Sequence, residues 1–261
     1  MSRRTHQTVA IALELAVPVA VLIGWQLWTV HVHDVKFPRL STILIDFRKE
    51  WLFAQFGTHL VPSLERIFAG FGIGILIGVA LGIPIGMSPL LRRLAMPHIE
   101  YWRAMPPPAL LPISIILVHS IANRQKIAFI AFFCVFPVLL NTIDGVRSID
   151  PTLIDTARSF RIPWHERVRR MVVPSAMPQI VAGMRNSLAL AVIMMVLSEF
   201  FAASSGVGYV LLVAKNTFQM GPMWAAIVLI GLLGYLLNAL FVLFERRVLA
   251  WHRGWRASTP D

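Results

Sequence analysis

The sequence predicts an all-α protein that crosses a membrane about six times. Three observations predict it. Of 261 residues, 57% are apolar and only 14% charged, where soluble domains carry roughly 25% charged residues. Several apolar stretches reach the length of about 20 residues that a spanning helix needs. Finally, the net charge of +11, from 24 Lys+Arg against 13 Asp+Glu, is concentrated beside those stretches. There it reads as a topology signal rather than as affinity for nucleic acid.

Six apolar segments can be drawn, at about 9–31, 66–87, 97–119, 125–143, 183–204 and 223–244. They form one membrane domain: a first span in 1–36, a core in 37–244 with its longest cytoplasmic loop at 144–182, and a cytoplasmic tail in 245–261. The basic N-terminus leads into an apolar run too long for a signal-peptide core, so it is read as a retained helix. Loops assigned to the cytoplasm hold Arg3, Arg4, Arg92, Arg93, the arginines from Arg147 to Arg185, and Arg246, Arg247, Arg253 and Arg256. The opposite loops are poorer in basic residues, which predicts an even number of spans with both termini cytoplasmic. Between the first two spans, Leu40, Ile43, Leu44, Phe47 and Trp51 recur at helical spacing and predict an amphipathic helix along the outer surface.

In the second span, Gly70, Gly74, Gly78, Gly82 and Gly86 recur at every fourth residue. Without side chains to hold a neighbour off, such a stripe predicts a helix-packing seam. The third span is interrupted by Met105-Pro106-Pro107-Pro108 and again at Pro112. Each proline removes a backbone donor, and in a membrane a broken helix is tolerated where it is buried or faces a watery cavity. This segment is therefore a candidate wall of a transport path. The lone cysteine, Cys134, lies in an apolar run and is read as packing.

In the 144–182 loop, Asp150-Pro151 is a strong helix start. The helix is expected to run to about Phe160, with Leu153, Ile154, Ala157 and Phe160 on one face. A turn at Pro163 and a second, basic helix ending at Pro174 should follow. That loop resembles the signature of prokaryotic ABC-importer permeases: Glu-Ala-Ala, three residues, Gly, nine residues, then an aliphatic residue, any residue, an aliphatic residue and Pro. Here those positions are Asp155-Thr156-Ala157, Arg161, Met171, Val173 and Pro174. Asp155-Thr156 replaces Glu-Ala, and Arg161 replaces glycine; if that position is left-handed, arginine costs about 1–2 kcal/mol there.

The resemblance extends from about Phe37 to Val213, through HLVPSLERIFAGF, YWRAMPPPALLPI, FPVLLNTIDGV, GMRNSLALAVIMMVLSEF and SSGVGYVL. It is similar to the aliphatic-sulfonate, nitrate and taurine branch of binding-protein-dependent importers. The resemblance implies a type I importer fold in a bacterial inner membrane and a homodimeric pore fed by an extracytoplasmic solute-binding protein. It further implies a cytosolic ATPase dimer that carries the ATP-Mg and grips a coupling helix in this loop. The ATPase contacts would be Leu153, Asp155, Thr156, Ala157, Arg158, Phe160, Arg161 and Pro174. The sequence has no Gly-Lys dipeptide, hence no phosphate-binding loop of its own, and its histidines are scattered with no His-Glu-x-x-His, so neither cofactor nor metal nor catalysis is expected.

Charges within spans are costly and point to function, which singles out Glu14, Glu100, Arg103, Arg185 and Glu199. Expected path residues are Arg103, Ser114, Asn141, Asn186, Ser187 and Glu199, suited to a small anionic solute. A stand-alone channel or secondary transporter is the alternative, although no internal repeat supports it.

Overall fold

The computed structural model describes residues 3–32, 34, 36–118, 123–201 and 203–251. His33, His119, and Arg253 and Arg256 of the tail lie outside them, as does the side chain of Glu14. All regular structure among the described residues is helical. In chain order the helices are α1 (Arg3–Val32), α2 (Leu40–Lys49), α3 (Val61–Met87), α4 (Pro89–Ala104), α5 (Pro107–Val118) and α6 (Asn123–Arg147). They continue with α7 (Pro151–Ser159), α8 (Trp164–Arg167), α9 (Val173–Phe200), α10 (Val207–Asn216) and α11 (Met220–Val248). Four continuous stretches, Phe56–Met87, Asn123–Arg147, Trp164–Phe200 and Met220–Val248, are long and apolar enough to cross a bilayer. Shorter apolar helices cover Ala16–Val32, Pro107–Val118 and Val207–Asn216.

The expected third span is two helices. α4 stops at Ala104, Met105 is extended at φ −70° and ψ 130°, and α5 restarts at Pro107. The consecutive prolines explain the break, since none can donate back into the preceding turn. The fifth span is longer than drawn, because the basic helix of the loop does not end at Pro174. A π turn over Val168–Val172 joins α8 to α9, with the Val173 amide bonded five residues back to the Val168 carbonyl. The widened turn absorbs the missing proline donor, so the helix passes straight through.

At the centre stands α6, packed on α3 along one side and on α9 along the other. The α3 seam is built of the spaced glycines: Gly70 faces Ile130, Gly74 faces Cys134, Gly78 faces Val138, Gly82 faces Thr142 and Gly86 faces Val146. Both helices advance four residues per contact, so the register is maintained over the whole length. A methyl group at Gly74 would sit 2.6 Å from the Cys134 Cβ, whereas one at Gly72 would meet nothing within 4 Å. On the other side, Gly183 of α9 lies against Asn141 and the Pro137 carbonyl. The Ser187 hydroxyl donates to the Cys134 carbonyl at 2.9 Å.

α2 packs on α11, burying Ile43 with Trp51 just beyond it and leaving Leu44 exposed. An aromatic cluster of Trp25, Trp28, Phe37 and Trp224 fixes the α1–α2 corner to α11. There the Trp25 indole donates to the Pro38 carbonyl and the Trp224 indole to the Lys36 carbonyl. Such amphipathic rings suit the membrane–water boundary.

Candidate functional site

Three features carry chemistry, and the first is the loop around α7. Asp150 caps the helix by accepting from the Thr152 amide at 2.8 Å, and that bond holds its carboxyl below the usual carboxylate range. Pro151 occupies the first turn, where no donor is needed. At the other end the Ile162 amide bonds to the Ala157 carbonyl at 3.0 Å and the Arg161 amide to the Arg158 carbonyl at 2.9 Å. This is a Schellman closure, and it places Arg161 in the left-handed region, φ 51°.

The expected single apolar face of α7 is in fact two. Ile154 packs on a cluster of Val146, Ile149, Val172, Ala176 and Ile180, and Ala157 is 4% exposed. Leu153, Phe160, Ile162 and Trp164 instead face outward, Phe160 at 75% and Trp164 at 64% exposed. At 100° per residue Leu153 and Phe160 share one stripe while Ile154 falls on another. Ala157 is thus part of the chain's own packing. Asp155 and Arg158 form an exposed pair at 3.4 Å, and Thr156 is exposed. Pro174 sits inside the α8–α9 junction.

The second feature is an open groove along α4, α6 and α9. A cavity of about 380 Å³ is lined by Arg103, Asn141 and Asn186, with Met105, Phe136 and Met194 among the apolar walls. It shares Arg103 and Leu140 with a neighbouring cavity of about 500 Å³, whose rim holds Arg92, Arg93, Glu100, Asp144 and Arg147. Arg103 bonds Glu100 at 2.6 Å, both half exposed. The groove is therefore weakly basic, with uncharged amides deeper in.

Three expected path residues are elsewhere. Ser114 donates to the Leu111 carbonyl, accepts from Gln125, and lines a separate apolar cavity with Trp102 and Phe129. Ser187 is sealed between α6 and α9 by its bond to Cys134. Glu199 is fully enclosed. Arg185 reaches α11, to Asn238 and Glu245.

The third feature encloses Glu199. Its carboxylate pairs with Arg66 at 2.6 Å, accepts from the Ser63 hydroxyl at 2.8 Å and from the Gly208 amide at 2.9 Å. All five N–H groups of Arg66 are used, on Asn123, Glu199 and both oxygens of Ser205. The amides of Gly206 and Val207 bond His59 and Ser63, so with Gly208 on Glu199 three amides at the α10 N-terminus are met by other elements. Arg66, at the first position of the second apolar segment, does not stand out in the sequence as a buried charge. The signal that finds it is a second buried-depth charge, opposite in sign to Glu199, since such charges are retained when they pair.

Among the described residues no cluster of three His, Cys, Asp or Glu could hold a metal. The family described as "Binding-protein-dependent transport system inner membrane component" matches residues 74–250. A putative aliphatic sulfonates transport permease protein, SsuC of Bacillus subtilis, is 30% identical over 92% of this chain and 88% of its own length. The taurine transport system permease protein TauC of Escherichia coli is 30% identical over 74% and 70%. A solved structure of the MetNI methionine ABC transporter in inward-facing conformations shares the fold, with TM-score 0.65 and 19% identity over 73% of this chain and 94% of that one. The chain accordingly belongs to the binding-protein-dependent transport system inner membrane components: it is a multi-pass permease subunit of an ABC importer, and ATP is hydrolysed on separate subunits.

Proposed function

We propose that two copies of this chain form a pore for a small anion of the sulfonate kind, handed over by a binding protein on the outer side. Both termini lie in the cytoplasm, and α7 is the coupling helix that the ATPase grips through Leu153, Phe160 and Trp164. The observation that carries the solute reading is the groove where Arg103, Asn141 and Asn186 meet. A diffuse anion is drawn by one half-neutralised guanidinium and then passes amides that bond it without trapping it. The two relatives above carry aliphatic sulfonate and taurine in their names, which agrees with that chemistry. The arginines near α7 and after α11 support the orientation.

Reconstitution in vesicles with the cognate ATPase and binding protein tests the reading. Uptake of a labelled alkanesulfonate should require ATP, and Arg103→Gln should weaken it by about three- to tenfold at low solute, the equivalent of roughly 1 kcal/mol. Flux driven by a gradient through the chain alone would make it a channel or secondary transporter instead.

A further inference from the structure

Beneath α7 lies a further basic cavity, of about 280 Å³, which shares Arg92 and Arg147 with the rim of the 500 Å³ cavity and opens on the other side of them, toward α7. Arg92, Arg147, Arg158 and Arg167 line it, and no carboxylate does. Its remaining wall is apolar, including Met87, Ile149, Ile154, Met171 and Val172. Arg147 and Arg158 hold only exposed pairs with Asp144 and Asp155, at 3.6 and 3.4 Å. Such pairs are weak and leave their charge available. Arg92 and Arg167 have no ion pair among the described residues, and the Arg167 Nε is buried with no hydrogen-bond partner. A buried donor left unmet is costly, so the site is incomplete as the chain alone forms it.

We infer that this cavity holds the phosphate headgroup of an acidic phospholipid. Guanidinium forks match phosphate oxygens in geometry and charge, and the apolar wall suits the first carbons of an acyl chain. The depth also fits. The cavity sits where α3 and α6 end, at Gly86, Met87, Val146 and Arg147, the level at which headgroups meet water, and basic pockets there attract anionic lipid. The α7 stripe that faces it, Pro151, Ile154 and Arg158, lies opposite Leu153 and Phe160, so a partner on the exposed stripe leaves the cavity open. The inference goes beyond the proposed function and holds whichever solute is carried.

The test uses the purified complex of this chain with its ATPase in neutral detergent. It is titrated with phosphatidylglycerol, phosphatidylcholine or inorganic phosphate, and bound lipid is read by native mass spectrometry. Wild type should retain phosphatidylglycerol over phosphatidylcholine, and the double variant R92Q/R167Q should bind it about thirtyfold more weakly, at ~1 kcal/mol for each guanidinium. R169Q, an exposed arginine outside the cavity, should behave as wild type. Equal retention by the double variant overturns the site, and equal loss in R169Q shows attraction by diffuse charge only. Displacement of the lipid by millimolar inorganic phosphate would assign the site to a free anion rather than a membrane lipid. Thermal unfolding without lipid checks that each variant is folded. Should R92Q/R167Q unfold, R92Q alone carries the comparison, with a loss of about fivefold expected.

Discussion

Glu199 is a charge whose whole surroundings have been arranged for it. Replacing it by Gln keeps the shape but leaves Arg66 buried without a counter-ion, and breaking a buried pair costs about 3–5 kcal/mol. The thermal midpoint of purified Glu199→Gln protein should therefore fall, and Arg66→Met in the same chain should recover much of the loss. If the single variant is as stable as wild type, the pair is not what holds α10. Glu199 was legible in the sequence as an odd charge in an apolar run. Its partner was not, because Arg66 lies 133 residues away and nothing local to Glu199 points to it. Arg161 is the reverse case: its left-handed backbone follows from one motif position in a short loop. Arg161→Gly should relieve about 1–2 kcal/mol of local strain, slowing hydrogen exchange at the Arg161 and Ile162 amides. ATPase association, measured by co-purification, should be unchanged or improved. Weaker association would mean that the arginine side chain makes a contact of its own.

Among the elements, the α3–α6 seam has the plainest origin. Its glycines were readable because a four-residue period is a local pattern, and the same period in α6 was not, because Ile130, Cys134, Val138, Thr142 and Val146 share no chemistry. Only the packing shows that they are the complementary ridge. Gly78→Leu would drive a side chain into Val138, whose Cβ stands 2.8 Å from an added Cβ. The variant should be lost from the membrane fraction, since overpacking at a close helix contact cannot relax without parting the backbones. Gly72→Ala, with open space around it, should accumulate normally, and a severe defect there would show that the stripe is not the cause. The split third span was legible for a related reason: consecutive prolines act on their own backbone. The π turn before α9 was not, because a five-residue bond depends on how the neighbouring helices set the phase of Pro174.

At the scale of the molecule, the groove and the enclosed Glu199 cluster lie along the same helix. The cavity ends near Met194 of α9, and the polar cluster begins at Glu199, closer to the end remote from α7. With α7 as the proposed coupling helix on the cytoplasmic side, imported solute would leave toward α7 while the remote end stays fastened by the Glu199 cluster. Phe160→Asp, placed on the outward stripe of α7 and away from its buried seat, should then reduce ATP-driven uptake at least tenfold in vesicles, as a charge in an apolar contact costs more than ~1.4 kcal/mol. Membrane insertion should be unchanged, and full uptake would remove that stripe from the mechanism. That one long loop carries a short helix could be read from its caps. Which polar residues face the groove could not, since Asn186 and Ser187 are sequence neighbours, yet the first is exposed and lines the groove while the second is buried against α6.

From Trp164 to Phe200 the backbone is one uninterrupted rod, about 55 Å from foot to tip at 1.5 Å per residue. Its two inner prolines, Pro174 and Pro178, and its widened turn all sit in the lower part, so compliance is confined to the foot. The upper shaft, free of such joints, has to travel as a unit. A small push at the base would then reappear as a swing at the far end, where Arg66 holds Glu199 by one bond and Ser205, just beyond the tip, by two, and the stiffness of that remote fastening would set how much force the base has to deliver.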